Sequence, residues 1–279
     1  MHELPLVFFT VLGQLSAGMV FFSSLSYLFY PSLNNISKIT KINIVALVFM
    51  VIGMFIASFH LGQPLRAFNV IFGIGRSPMS NEIFTFGLLF GVTVVSVLLS
   101  YFTQVDKGNK LVWIKMLCQR VNQIPKLAQM LAILLVILSV VFVWTIVLTY
   151  MLPTVKTWDT YYTTIQMYTT MLALGSIAVM SLGLYRIVSL IFVISVLLIL
   201  VLKIPYLNLM MAISPQLATE QQSWLLAQCG LLVIAMVLVA LNNKRITKNT
   251  NIYLIGFLCV LVGEICGRIA FYNLWTIPL

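Results

Sequence analysis

Side chains able to exchange a proton are few in this sequence, and several stand inside or at the edge of long apolar runs. They are His60, Glu82, Lys203, Glu264 and Arg268, with His2 and Glu3 near the start. An ionisable group in a lipid-bounded helix is costly, so each is a functional candidate by default. His60-Leu61-Gly62-Gln63-Pro64 reads as a helix end, with Gly62 suited to the left-handed C′ position and Pro64 unable to continue the helix. Ser77-Pro78 reads as an N-cap followed by proline at the first helical position, which puts Glu82 near the start of the next helix. His60 and Glu82 are therefore expected at the same membrane face. The apolar stretch 65–72 between them is too short to span and too greasy for a solvated loop, which predicts a segment lying along the interface or folded over the bundle.

An imidazole and a carboxylate beneath an apolar lid suit the removal of protons from a membrane-soluble quinol, whose oxidation releases two electrons and two protons. The same two residues would also be tolerated simply facing the headgroup zone, and their co-location leaves both readings open. Glu264 and Arg268 are four apart, acid first, on one helix face, with Gly263 and Gly267 allowing close helix approach. They read as a structural ion pair, or as the polar wall of a ligand pocket. Lys203 reads as a snorkelling side chain. The two histidines, His2 and His60, fall on one side, so a transmembrane haem pair is excluded by ligand count. Cys118, Cys229, Cys259 and Cys266 show no CxxC spacing and read as packing residues, without an iron–sulfur or metal site.

The elements that must position these groups follow from composition. Of 279 residues, 61% are apolar and 8% charged, which excludes a soluble fold. At about 20 residues per crossing, the chain reads as an all-α integral membrane protein, a bundle of eight transmembrane helices forming a single domain over 1–279. The spans are 4–30, 43–60, 77–103, 129–152, 163–184, 187–211, 224–241 and 252–272. The start, Met1-His2-Glu3-Leu4-Pro5, lacks the basic region of a secretory signal, so the first span is expected to be retained.

The net charge of +10 marks orientation. Connectors after odd-numbered spans hold Lys38 and Lys41; Lys107, Lys110, Lys115, Arg120 and Lys126; Arg186; and Lys244, Arg245 and Lys248. Those after even-numbered spans hold only Arg66, Arg76 and Lys156. Cytoplasmic loops carry the cationic excess, which places both termini outside, in the periplasm for a bacterial inner membrane. The cations sit in short connectors without an aromatic-studded basic face, so a nucleic-acid partner is excluded.

The motifs then resemble a known family. His2-Glu3-Leu4-Pro5-Leu6, Phe9-Thr10, Gly13-Gln14, Ala57-Ser58, His60-Leu61-Gly62, Arg66-Ala67-Phe68-Asn69 and Ser80-Asn81-Glu82-Ile83 are similar to the membrane-anchor subunit of the dimethyl sulfoxide reductase complex, DmsC. Val141-Phe142-Val143-Trp144, Thr157-Trp158, Gly263-Glu264-Ile265, Gly267-Arg268 and Phe271-Tyr272 fit as well. The resemblance runs end to end but is specific mainly in the first 90 and last 20 residues. It departs at Lys156, where proline is expected, and in the short connector around Arg186.

This resemblance implies a haem-free anchor, without an iron–sulfur cluster of its own, that oxidises menaquinol. Electrons would pass to a four-cluster iron–sulfur subunit and then to a molybdopterin catalytic subunit reducing S- and N-oxides in anaerobic respiration. It also implies that His60 and Glu82 take the quinol protons, with Arg66 in the same pocket and Glu264 and Arg268 mainly structural. Two other readings are a secondary transporter, for which inverted repeats and mid-membrane acids in two halves are missing, and a passive anchor that does not oxidise quinol.

Overall fold

The computed structural model describes residues 4–30, 33–59, 64–104, 112–185, 188–244 and 249–275, for the backbone alone at 33–35, 64–68 and 103–104. The described chain is helical. In order come α1 (Leu4–Phe29), α2 (Leu33–Ser58), a 3₁₀ helix (Pro64–Gly73), α3 (Pro78–Gln104), α4 (Val112–Asn122), α5 (Leu127–Tyr150), α6 (Tyr161–Ser181), α7 (Val188–Ile213), α8 (Pro215–Glu220), α9 (Gln222–Asn243) and α10 (Thr250–Asn273).

Among the described residues, seven of these helices are long and apolar enough to cross a bilayer: α1, α2, α3, α5, α7, α9 and α10. Helix α6 matches them in length but is interrupted by Thr163, Thr164, Gln166, Thr169, Thr170 and Ser176. Its polarity has a place to go, because α6 packs against α1, α5, α7 and α10. Burial among other helices suits a polar face better than contact with lipid does.

Helix α1 is the axis of the bundle, packed by α2, α5, α6 and α10. Lipid supplies no hydrophobic drive for helices to associate, so packing depends on close approach and on shared polar contacts. Both are present. Gly18 of α1 and Gly175 of α6 face each other so closely that a Cβ on either would overlap the other's backbone. Ser23 Oγ bonds Asn43 Oδ1 between α1 and α2 at 2.5 Å, and the Thr85 and Thr145 hydroxyls meet between α3 and α5 at 2.8 Å. Other buried hydroxyls bond their own helix, as Ser16 Oγ does to the Leu12 carbonyl at 2.7 Å. Such back-bonding gives polar groups partners within the apolar interior. Replacing Gly18 by Leu is expected to cost about 3 kcal/mol or more by forcing α1 and α6 apart, read as a lowered thermal midpoint in detergent; an unchanged midpoint would show that the crossing is not under packing constraint.

The turn before α3 follows the sequence expectation. Helix α3 begins at Pro78, and the Asn81 N–H donates to the Ser77 carbonyl at 3.0 Å. Gly75, at φ 79°, turns the chain and donates its N–H to Asn81 Oδ1 at 2.7 Å. The 65–72 stretch forms most of the 3₁₀ helix, which leans on α3, with Gly73 against the Ser80 side chain and Phe72 pointing outward. The long basic connector contains an unforeseen element, the amphipathic α4, with Val112, Trp113, Met116 and Leu117 exposed near Lys115 and Arg120.

Between α5 and α6, residues 151–160 are stapled onto the end of α10. Thr157 Oγ1 donates to the Leu274 carbonyl at 2.6 Å, and Trp158 Nε1 donates to the Phe271 carbonyl at 2.8 Å. These bonds satisfy carbonyls that a helix C-terminus leaves without intrahelical partners. The Trp158 ring stacks on Phe271 at 5.3 Å. The staple fixes the ends of α5 and α10 together, and those ends carry Tyr150 and Tyr272.

Candidate functional site

Glu82 lies in the second turn of α3 and is 4% exposed. Its placement follows from the Pro78 start: four residues on, about 6 Å along the axis, the side chain faces α5 instead of water. The Thr149 hydroxyl, which donates to the Thr145 carbonyl at 2.9 Å, lies beside the Glu82 carboxyl, as do the phenols of Tyr150 and Tyr272. The Tyr272 hydroxyl donates to the Tyr150 hydroxyl at 2.5 Å, the two rings meeting edge to face at 5.4 Å. Thr10 of α1, whose hydroxyl donates to the Leu6 carbonyl at 2.9 Å, stands beside Tyr272. One buried carboxyl thus stands beside hydroxyl groups from α1, α5 and α10.

Helix α10 carries this polar strip inward. Tyr272, Arg268 and Glu264 recur every four residues and share one face. Arg268 Nη2 donates to Gln14 Oε1 at 2.8 Å, Nη1 contacts Met167 Sδ at 2.6 Å, and the guanidinium lies 5.6 Å from the Phe271 ring centre. Glu264 accepts from Thr170 Oγ1 at 2.6 Å and from Gln228 Nε2 at 3.1 Å. The expected pair is therefore present on one face, but each member is hydrogen-bonded to neutral groups on other helices. Arg268 ties α10 to α1 and α6; Glu264 ties it to α6 and α9.

Lys203 departs from its expectation. It is 9% exposed, with Nζ 5.4 Å from the Tyr206 ring centre, and it lines the same packed space as Gln228, Glu264 and Arg268. Snorkelling needs a path to the headgroups, and a residue about 15 Å from the nearer end of α7 is too deep for it.

The structure thus brings Glu82, Arg268 and Glu264 into one polar region. His60 lies outside the described residues. Arg66 falls within the 3₁₀ helix by backbone, and its side chain lies outside the described structure. Among the described residues, no three His, Cys, Asp or Glu side chains gather as a metal site. Sequence reasoning missed Gln14, Tyr150, Tyr272 and Gln228. Gln14 and Gln228 carried a usable signal, as amides inside apolar runs, and Tyr272 stood one turn from Arg268.

Tyr272→Phe tests how the group is held. The change removes one neutral hydrogen bond and preserves the ring, so stability is expected to fall by about 1 kcal/mol. A much larger loss in chemical denaturation would mean that the hydroxyl anchors the whole Glu82 group.

Taken together, these features describe a multi-pass helical membrane protein with a buried carboxyl group near one end of its bundle. The chain belongs to the family of DMSO reductase anchor subunits (DmsC), whose model matches residues 1–121 and 108–274. It is 32% identical over 178 residues to the YnfH subunit of anaerobic dimethyl sulfoxide reductase from Escherichia coli K12, covering 63% of this sequence and 56% of that one. It is 30% identical over 176 residues to the C subunit of anaerobic dimethyl sulfoxide reductase from the same organism, covering 61% and 54%. It is 39% identical over 90 residues to the C subunit of the Haemophilus influenzae enzyme, covering 32% of each. The match to the two Escherichia coli relatives spans about half of their length.

Proposed function

We propose that this chain anchors a DMSO reductase-type complex in the bacterial inner membrane and oxidises menaquinol there. In this reading α6 completes a bundle of eight spans with both termini in the periplasm, as the uneven distribution of Lys and Arg supports. The quinol enters near the 3₁₀ helix, with Arg66 beside its ring and His60 and Glu82 taking its two protons. Its two electrons leave one at a time, as a one-electron carrier requires, for an iron–sulfur partner docked at the outer face, and from there reach a molybdopterin subunit that reduces S- or N-oxides. The observation that carries the reading is the burial of Glu82 among Thr149, Tyr150 and Tyr272, only about a turn from the start of α3. A carboxylate there meets a lipid-soluble reductant before water does, and the adjoining hydroxyls give its proton somewhere to go.

The test compares two electron donors with one acceptor. In membranes holding the complex, S-oxide reduction is driven by menaquinol or by a water-soluble dye that bypasses the anchor. Glu82→Gln and His60→Ala are each expected to remove the first activity and keep the second. Quinol-driven turnover surviving both changes overturns the site assignment and favours a passive anchor.

A further inference from the structure

Lys203 is a buried cation that the quinol site does not use. On one side it borders Gln228, Glu264 and Arg268, so this part of the core holds two cations to one anion. A buried acceptor there, Gln228 Oε1, has no hydrogen-bond partner. On its other side Lys203 lines an open groove of about 340 Å³ between α7 and α9, walled mainly by leucines with Ile204, and by Gln222 and Cys229 of α9. Pro205, two residues on, has no N–H for the Val201 carbonyl, and proline inside a helix bends it.

Depth and chemistry narrow the occupant. Lys203 stands about 15 Å from the nearer end of α7, near the middle of a hydrocarbon layer about 30 Å thick. A phospholipid phosphate stays at the surface, and a bare carboxylate at this depth pays a large desolvation cost. A neutral ring bearing acceptor oxygens and a long hydrocarbon tail meets both the donor and the apolar walls. A lysine ammonium offers three donors and no acceptor, so it prefers a ring carbonyl to a ring hydroxyl. We propose that the groove between α7 and α9 is a second quinone-binding site, in which Lys203 donates to a carbonyl of the oxidised ring and the apolar walls hold the tail. Its volume lies within the range of small-molecule pockets. The choice of quinone rests on the quinol-oxidising reading; the groove and its cation do not.

The test is photolabelling of the whole complex in membranes with an azido-naphthoquinone carrying an isoprenoid tail, the labelled peptides being mapped. Label is expected both near Glu82 and within 200–229. Lys203→Met should cut labelling of 200–229 about tenfold, the value of one hydrogen bond to a charged group, while label near Glu82 persists. Leu226→Trp, which fills the groove and keeps the lysine, should do the same and decides the matter if the Lys203 variant does not fold. Glu82→Gln should reduce only the other label. Labelling confined to the Glu82 region overturns this inference and leaves the quinol reading standing. So does labelling of 200–229 that both groove variants leave intact, or that oleate displaces and unlabelled quinone does not. No labelling anywhere overturns both.

Discussion

Glu82→Gln is expected to lower quinol-driven turnover about a hundredfold or more, the usual worth of a positioned general base, with dye-driven turnover unchanged. Glutamine keeps the shape and volume of the side chain, so packing is preserved and only proton acceptance is lost. Burial makes the loss severe, because little water reaches a group 4% exposed to stand in for the missing base. Glu82→Asp separates distance from basicity. It retains the carboxylate but withdraws it by one methylene, and partial activity between that of glutamate and glutamine is expected. Should Glu82→Gln retain more than about a tenth of the quinol-driven rate, well short of the loss a general base should cause, the proton goes elsewhere and the tyrosine pair becomes the place to look.

The sequence discloses the helices well where punctuation is local. Ser77-Pro78 marks the start of α3 to the residue, and the apolar runs locate seven spanning helices because lipid tolerates no other periodic structure in a single chain segment of that length. Helix α4 escapes notice although its signal is present: Val112, Trp113, Met116 and Leu117 recur at helical spacing between cations, but an element too short to span is absorbed into its connector. Candidate acids and bases are equally legible, since charge inside an apolar run is conspicuous. Their partners are not. Thr149 and Tyr150 reach Glu82 from a different helix, and a tyrosine at a helix end reads as an interfacial anchor until the register of α3 against α5 is known. Lys203 shows the same limit from the other side: hydropathy locates it in a span, but helix rotation decides that it faces Glu264 and not the headgroups.

That rotation sets the second large effect. Glu264 is the anion of a buried cluster whose cations are Arg268 and Lys203, with Thr170 and Gln228 donating to its two oxygens. Glu264→Gln preserves volume but leaves two cations facing each other away from water. Removing one member of a buried charge set costs about 3–5 kcal/mol, mostly through the charge left behind, and a loss of about 4 kcal/mol is expected in chemical unfolding of the detergent-solubilised protein. Arg268→Met should cost less, because one cation and one anion remain and methionine can fill the space beside Met167 and Gln14. Adding Lys203→Met to Glu264→Gln should return much of the lost stability, since it removes one of the two opposed cations and contacts within one cluster do not add independently. The decisive comparison is the order of the two single changes. If Arg268→Met costs as much as Glu264→Gln or more, the bonds from Arg268 to Gln14 and Met167 outweigh charge balance, and α10 is held mainly by its grip on α1 and α6. If Glu264→Gln costs more, charge balance governs, and the polar strip of α10 is stable because its single carboxylate serves two cations.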